Sequence, residues 1–294
     1  MAVKRGIYAA SVSCFKKDLS LDIDSTISHV NKLILNGCHG VVIFGSTGAG
    51  QLISRYEKEK LIEKISGSEF KSNFLIGTSD NSFNETVGLI KHSLKNGINQ
   101  FLMMPPAYYK YGDEEAYSFF ANVIQRVPES RIVLYNFEKL SGYKFSHQIV
   151  EKLVKNFPDQ IVGVKDSTYN LYETLKISNF LVFPGSEEKL LKGLKLGSSG
   201  IISATANLTA KLARKVYDDF HSKREQTVNE RLCNIRSVFD KNNLVSGIHS
   251  FMSLENEKYR FILPPLRLLT KDKEKKMMSE LKDLDFYPEK GIAA

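Results

Sequence analysis

Apolar positions along the chain fall into eight short runs separated by longer amphipathic stretches. The runs cover residues 7–12, 40–44, 73–77, 100–104, 131–135, 160–164, 180–183 and 199–203. They lack the strict polar alternation of a half-exposed sheet, so they read as parallel strands covered on both faces. The intervening stretches carry helix starts. Ser54-x-x-Glu57 forms a capping box for a helix through about Ser66, and Asp113 is placed to cap a helix over 114–126. Eight strands alternating with helices predict an α/β fold, the closed (β/α)8 TIM barrel. An open doubly wound sheet is the other architecture, although it normally uses fewer strands at this length.

The alternation stops near Asn207. Beyond it, 208–221, 224–241, 244–254 and 270–284 read as helices, and Pro264-Pro265 interrupts that tail. The expected organisation is a (β/α)8 catalytic barrel over 1–221 and a C-terminal helical domain over 222–294.

Composition narrows the function little. The chain has 294 residues, 42% of them hydrophobic, which excludes collagen-like and low-complexity disordered classes. No apolar run approaches the roughly 18–20 residues of a membrane span, and the N-terminal stretch has no apolar core of a signal peptide. Cys14, Cys38 and Cys233 show no metal-binding spacing, and they fit a reducing cytoplasm better than a disulfide framework. The net charge of +8 hints at an anionic partner. Its lysines are interleaved with acids, as in Glu57-Lys58-Glu59-Lys60, which is the pattern of solvated helix faces rather than of a nucleic-acid stripe.

A barrel of this kind places its chemistry where strands end. Lys165 closes the sixth run, so its stem rises from an apolar strand into the mouth. Desolvation there disfavours an ammonium and favours an amine that attacks carbonyls. Taken alone, such a lysine could equally snorkel to the rim or pair with Asp166. Tyr135 closes the fifth run, where a phenol can shuttle protons, or simply belong to the core. Ser46 and Thr47 sit in a glycine-bracketed turn, Gly45-Ser46-Thr47-Gly48, that offers hydroxyls and backbone N–H groups to a carboxylate. The turn is neither a Walker A loop nor a dinucleotide fingerprint. The six histidines never approach HxH or HxxxH spacing, so no metal site is expected. Cys14 follows the first strand without a histidine partner and reads as an inert buried thiol.

Together these segments resemble the dihydrodipicolinate synthase/N-acetylneuraminate lyase family. The resemblance rests on Gly45-Ser46-Thr47-Gly48, Pro105-Pro106-x-Tyr108-Tyr109, Tyr135-Asn136, Gly163-Val164-Lys165-Asp166-Ser167, Gly185-Ser186, the segment 200–207 and Pro264-Pro265-Leu266, in order along the whole chain. It implies a class I mechanism on pyruvate or another 2-oxo acid, with no metal or organic cofactor. Lys165 would form the imine and Tyr135 would be the acid/base, with Ser46 in its hydroxyl relay. Tyr108 would complete a neighbouring subunit's relay. Ser46 and Thr47 would hold the pyruvate carboxylate, with Gly185 and Ile202 in the substrate-binding set. The resemblance also implies a homotetramer built as a dimer of dimers, acting on small molecules rather than on nucleic acid or membrane.

Three departures bear on the substrate. Glu138 and Leu140 stand where dihydrodipicolinate synthases usually carry proline and a carboxylate-gripping arginine, with Lys139 beside them as a point charge. Ala49 replaces a frequent glutamate. Ala107 replaces the first of two tyrosines, which leaves the inter-subunit role between Tyr108 and Tyr109. The favoured expectation is a 2-keto-3-deoxy sugar-acid or related hydroxy-oxo-acid aldolase. A divergent dihydrodipicolinate synthase is the alternative, and a non-catalytic 2-oxo-acid-binding barrel is a further one.

Overall fold

The computed structural model describes residues 3–288. Eight parallel strands are ordered in a ring: β1 (Gly6–Ala10), β2 (Gly40–Ile43), β3 (Phe74–Gly77), β4 (Gln100–Met103), β5 (Arg131–Asn136), β6 (Ile161–Asp166), β7 (Leu181–Pro184) and β8 (Gly200–Ser203). Every consecutive pair from β1 to β7 shares a ladder, and β1 also pairs with β8, Tyr8 facing Ile202. This is the barrel rather than the open sheet. Between strands lie α1 (Ile23–Leu35), α2 (Arg55–Ile65), α3 (Phe83–Lys95), α4 (Asp113–Arg126), the single turn α5 (Glu138–Ser141), α6 (His147–Asn156) and α7 (Leu190–Lys195), with α8 (Ala206–His221) after β8. The extension consists of α9 (Asn229–Asp240), α10 (Leu244–Ser253) and α11 (Lys271–Asp283), with Pro264-Pro265 in the non-helical stretch before α11. Among the described residues no helix is long and apolar enough to cross a membrane.

Both strand faces are buried, as continuous apolar runs require. Tyr8, Val42, Leu75, Leu102, Val133, Phe183 and Ile202 fill the barrel interior. Ile7, Val41, Phe74, Phe101, Ile132 and Ile201 pack outward against the helices. At about 1.5–3 kcal/mol per fully buried side chain, these layers hold the fold. Ion pairs at the helix surface such as Arg55–Glu59, half-buried at 2.7 Å, add about 0.2–1 kcal/mol each. A third cluster joins Val12, Cys14 and Ala204 at the mouth to Ile235, Phe239, Phe251 and Met277 of the extension.

Local differences from the sequence expectation have identifiable causes. Ser54 and Glu57 form the capping box of α2 as expected, the Glu57 N–H donating to Ser54 Oγ at 3.3 Å. Asp113, expected as a cap, lies inside the first turn of α4. Its carboxylate is taken by the hydroxyls of Tyr143 (2.7 Å) and Ser146 (2.5 Å), and Gly112 occupies the cap. Helix α9 begins later than expected because Arg224 folds back onto α8, its Nε 3.0 Å from Asp219. Between β6 and β7 the expected helix is absent among the described residues. The buried Asp166 carboxylate instead accepts the N–H groups of Tyr169 (2.9 Å), Leu171 (2.8 Å) and Tyr172 (2.9 Å), winding the chain into turns.

The ring has one weak seam. Strands β7 and β8 lie side by side without a ladder. At their N-terminal ends, Ser199 N–H donates to Val182 O (2.7 Å) and Val182 N–H to Ser199 Oγ (3.3 Å). Further up, Gly185 N–H turns to Asp166 O on β6 (3.0 Å). By strand alternation the nitrogen of Pro184 therefore faces β8, and proline has no proton to give.

Candidate active site

Strands β5 and β6 are paired in register, Tyr135 opposite Lys165 and Asn136 opposite Asp166. Because side chains alternate, the first pair points into the barrel and the second pair outward. Lys165 is 4% exposed, and its Nζ lies 4.2 Å from the centroid of the Tyr135 ring. Among the described residues it has no ion-pair partner. The Asp166 carboxylate, the neighbouring candidate, is already filled by three backbone N–H groups and by the Asn136 amide at 2.8 Å. Asn136 also donates to Asn170 Oδ1 (2.8 Å) and accepts from Phe145 N–H (3.2 Å). The lysine is thus buried over an aromatic face, and the carboxylate beside it in sequence is turned away and used to hold the strand ends together.

The Tyr135 hydroxyl meets Ser46 Oγ at 3.0 Å. Ser46 and Thr47 are presented by a turn folded tightly on itself. Gly48 and Gly50 N–H groups both reach Gly45 O, at 3.0 and 3.1 Å, and the Gly48 carbonyl accepts from Ser13 Oγ (2.7 Å). Phe44 enters the turn at φ +63° and Ala49 leaves it at φ +53°, both left-handed. At Gly50 a Cβ would stand 1.9 Å from Phe44 O, so only glycine fits. Non-glycine residues held in this region cost of order 1–3 kcal/mol each. Among the described residues the N–H groups of Ser46 and Thr47 meet no protein acceptor.

Gly185 passes so close to the sixth-strand loop that a Cβ would fall 2.2 Å from Ser167 Oγ. Ile202 is fully buried in the interior cluster with Tyr135. Lys165, Tyr135, Ser46, Thr47, Gly185 and Ile202 thus belong to strand ends or to the loops that follow them. Tyr108 does not join them within one chain. It is 87% exposed, sits at φ +86°, stacks edge-on with Tyr109 at 5.2 Å, and has no hydrogen bond to Ser46 or Tyr135. Its platform is nonetheless fixed, by Ala107 N–H on Asn81 Oδ1 (2.8 Å) and by Tyr111, whose hydroxyl donates to Pro106 O and whose ring stacks on Tyr143 at 5.3 Å. Leu140 lies half-exposed on α5.

Cys14 is buried, and burial pushes its thiol up to about 12, which keeps it unreactive. Among the described residues no three His, Cys, Asp or Glu side chains are grouped to hold a metal. Two arrangements escaped sequence reasoning. One is Glu187, Ser203 and Arg236 joined by hydrogen bonds (Arg236 Nη1 to Glu187 Oε2, 3.1 Å). The other is His29, whose Nε2 meets Asn207 Oδ1 at 2.8 Å while Nδ1 meets the Tyr259 hydroxyl at 3.0 Å. Both join residues far apart in sequence, and no local pattern marks them.

The dihydrodipicolinate synthetase family model matches residues 3–284. An uncharacterised DapA-like lyase of Chloroflexus aurantiacus is 28% identical over 228 residues, 75% of this chain and 76% of the relative. A 4-hydroxy-tetrahydrodipicolinate synthase of Methanothrix thermoacetophila is 26% identical over 292 residues, covering 95% of this chain and 98% of the relative. Two crystal structures share the fold, each with a TM-score of 0.87. One is dihydrodipicolinate synthase from Agrobacterium tumefaciens, at 24% identity over 96% of this chain and 99% of that one. The other is YagE from E. coli K12 in complex with pyruvate, at 23% identity over 97% of this chain and all of that one. The strand-end lysine, the hydroxyl pair and the collinear match agree, and the chain belongs to the dihydrodipicolinate synthetase family of carbon–carbon lyases.

Proposed function

We propose that this chain is a pyruvate-dependent class I aldolase that works through an imine on Lys165. The observation carrying this reading is the buried Lys165 Nζ set 4.2 Å over a Tyr135 ring whose hydroxyl is bonded to Ser46. The lysine amine adds to the C2 carbonyl of pyruvate, and the carbinolamine loses water to leave a protonated imine. Tyr135, exchanging protons with Ser46, delivers the proton that the departing hydroxide needs. Loss of a C3 proton gives an enamine, whose C3 bonds to an aldehyde carbon, and hydrolysis then returns the lysine. In the cleavage direction the same steps run backwards. The free N–H groups of Ser46 and Thr47 supply the anion-binding concavity for the pyruvate carboxylate.

The aldehyde partner is a hydroxylated one, and the product a 2-keto-3-deoxy sugar acid or a related hydroxy-oxo acid. Leu140 offers no cation to a second carboxylate, and Lys139, exposed beside it, is a mobile point charge rather than a fork. A coupled assay of pyruvate release tests this. Cleavage of 2-keto-3-deoxy sugar acids exceeding condensation of pyruvate with aspartate semialdehyde supports the assignment. The reverse order makes the chain a divergent 4-hydroxy-tetrahydrodipicolinate synthase, the activity named for the Methanothrix relative.

Tyr108, strained and projecting, is the residue that completes the relay in a neighbouring copy within a tetramer built from dimers. Tyr108→Phe should lower turnover about 10²-fold, at the low end of acid–base contributions, with an unchanged melting temperature. Loss in Tyr109→Phe instead would move the role one residue along.

A further inference from the structure

The β7–β8 seam is closed at its mouth end by a side chain from outside the barrel. Glu187, just past β7, is fully buried, as is Ser203, the last residue of β8. Ser203 Oγ donates to Glu187 Oε2 at 2.6 Å, and Thr209 of α8 donates to Glu187 Oε1 at 3.1 Å. Arg236 of α9, itself 6% exposed, inserts Nη1 between them, 3.1 Å from Glu187 Oε2, 3.0 Å from Ser203 Oγ and 3.4 Å from Thr205 Oγ1. Its Nε is held by Asp240 at 2.8 Å. Every other neighbouring pair in the ring is joined by a backbone ladder. Here Pro184 removes the donor, and the buried cluster spans the gap. Burial would lower the Arg236 pKa, but the adjoining Glu187 and Asp240 carboxylates carry it above its usual value.

We infer that Arg236 is a positioning residue that clasps the ends of β7 and β8, and so makes the helical extension a working part of the mouth. The inference presumes the imine chemistry proposed above. The clasp acts on Gly185 and on the end of the strand that holds Ile202, two members of the expected substrate-binding set. It does not act on Lys165, Tyr135 or Ser46, which stand on laddered strands or on the loop after β2. Imine formation at saturating pyruvate, which needs only the reactive groups, should therefore survive loss of the clasp, while carbon–carbon bond making and breaking, which need the whole substrate held, should not.

Arg236→Ala would strand a buried carboxylate and risk unfolding. The test therefore uses the paired neutral variant Glu187→Gln/Arg236→Gln, with Arg236→Lys, which keeps the charge but loses the two-sided fork. Each is assayed below its own melting temperature for borohydride trapping of pyruvate, for turnover, and for amide exchange over 182–186 and 200–205. We expect trapping within about twofold of the unmodified protein and turnover lower on the order of 10-fold to 100-fold, as small misplacements produce. Amide exchange should rise at the seam and not at 133–136, with Arg236→Lys intermediate. Trapping and turnover falling together, or turnover unchanged with the seam loosened, would overturn the clasp. If the unmodified protein traps no pyruvate, the proposed chemistry fails instead, and unchanged seam exchange in the variants then decides against the clasp on its own.

Discussion

Two neighbouring-strand contacts in this barrel are held by different physics. Strands β5 and β6 are joined by a ladder that runs to their last residues, and Asn136 and Asp166 extend it with a buried amide–carboxylate bond of 2.8 Å. Strands β7 and β8 have no ladder and are held at the mouth by an ion pair from a distant helix. Tyr135 and Lys165, the residues to which we assign the imine chemistry, lie on the first contact. The second contact is closed by side chains instead. Asp166 makes the difference concrete, since it takes its hydrogen bonds from neutral N–H groups and, among the described residues, Lys165 has no ion-pair partner.

Breaking the first contact at its reactive end has the largest expected effect. Lys165→Ala should abolish cleavage activity while retaining the melting profile, and residual activity under single-turnover conditions would contradict the assignment. Tyr135→Phe removes the proposed proton-transfer hydroxyl but not the ring beneath Lys165 Nζ, so turnover should drop about 10²–10⁴-fold, with pyruvate trapping slowed rather than absent. A smaller loss is expected for Asp166→Asn. The amide must present a donor to at least one N–H partner, at a cost of about 1–3 kcal/mol for each buried group left unpaired. Denaturant titration should show this destabilisation, and amide exchange should rise over 167–172 before it rises at the seam.

The last effect concerns pH, acts on stability rather than on turnover at neutral pH, and falls on the β8 side. Asn207 Nδ2 donates to Ala10 O (2.7 Å) and Ala204 O (2.6 Å), so its Oδ1 must accept from His29 Nε2–H, leaving Nδ1 to accept from Tyr259. Burial lowers His29, and likewise His249, from 6.5 to about 4. Between these values the unfolded chain binds more protons than the folded one, so stability rises with pH across that window. The contribution is complete above about 6.5 and is lost as pH falls towards 4. Thermal melting from pH 7 to pH 4 should show this decline, and it should be shallower in His29→Gln. Exchange should loosen first near 204–207, not near 133–136. An unchanged slope in His29→Gln would remove that histidine from the explanation.

Most of the barrel was legible in the sequence because fully covered parallel strands leave uninterrupted apolar runs, and α2 announced itself through Ser54 and Glu57. Asp113 misled because its carboxylate is captured by Tyr143 and Ser146, residues 30 and 33 positions away. The missing helix after β6 was hidden for a related reason, since Asp166 folds back on the chain that follows it and supplants helical bonding. Lys165 and Tyr135 stood out because polar groups closing apolar strands have little structural reason to be there. Arg236 did not. On its own helix it reads as half of an i,i+4 pair with Asp240, and only the folded chain brings Glu187, 49 positions away, to its other side.

The most direct measurement is borohydride reduction of the protein in the presence of pyruvate, followed by intact mass and peptide mapping. A single pyruvyl adduct on the peptide containing Lys165, absent from Lys165→Ala, is the result expected from the buried lysine over Tyr135. An unmodified protein, or an adduct on any other lysine, would contradict it.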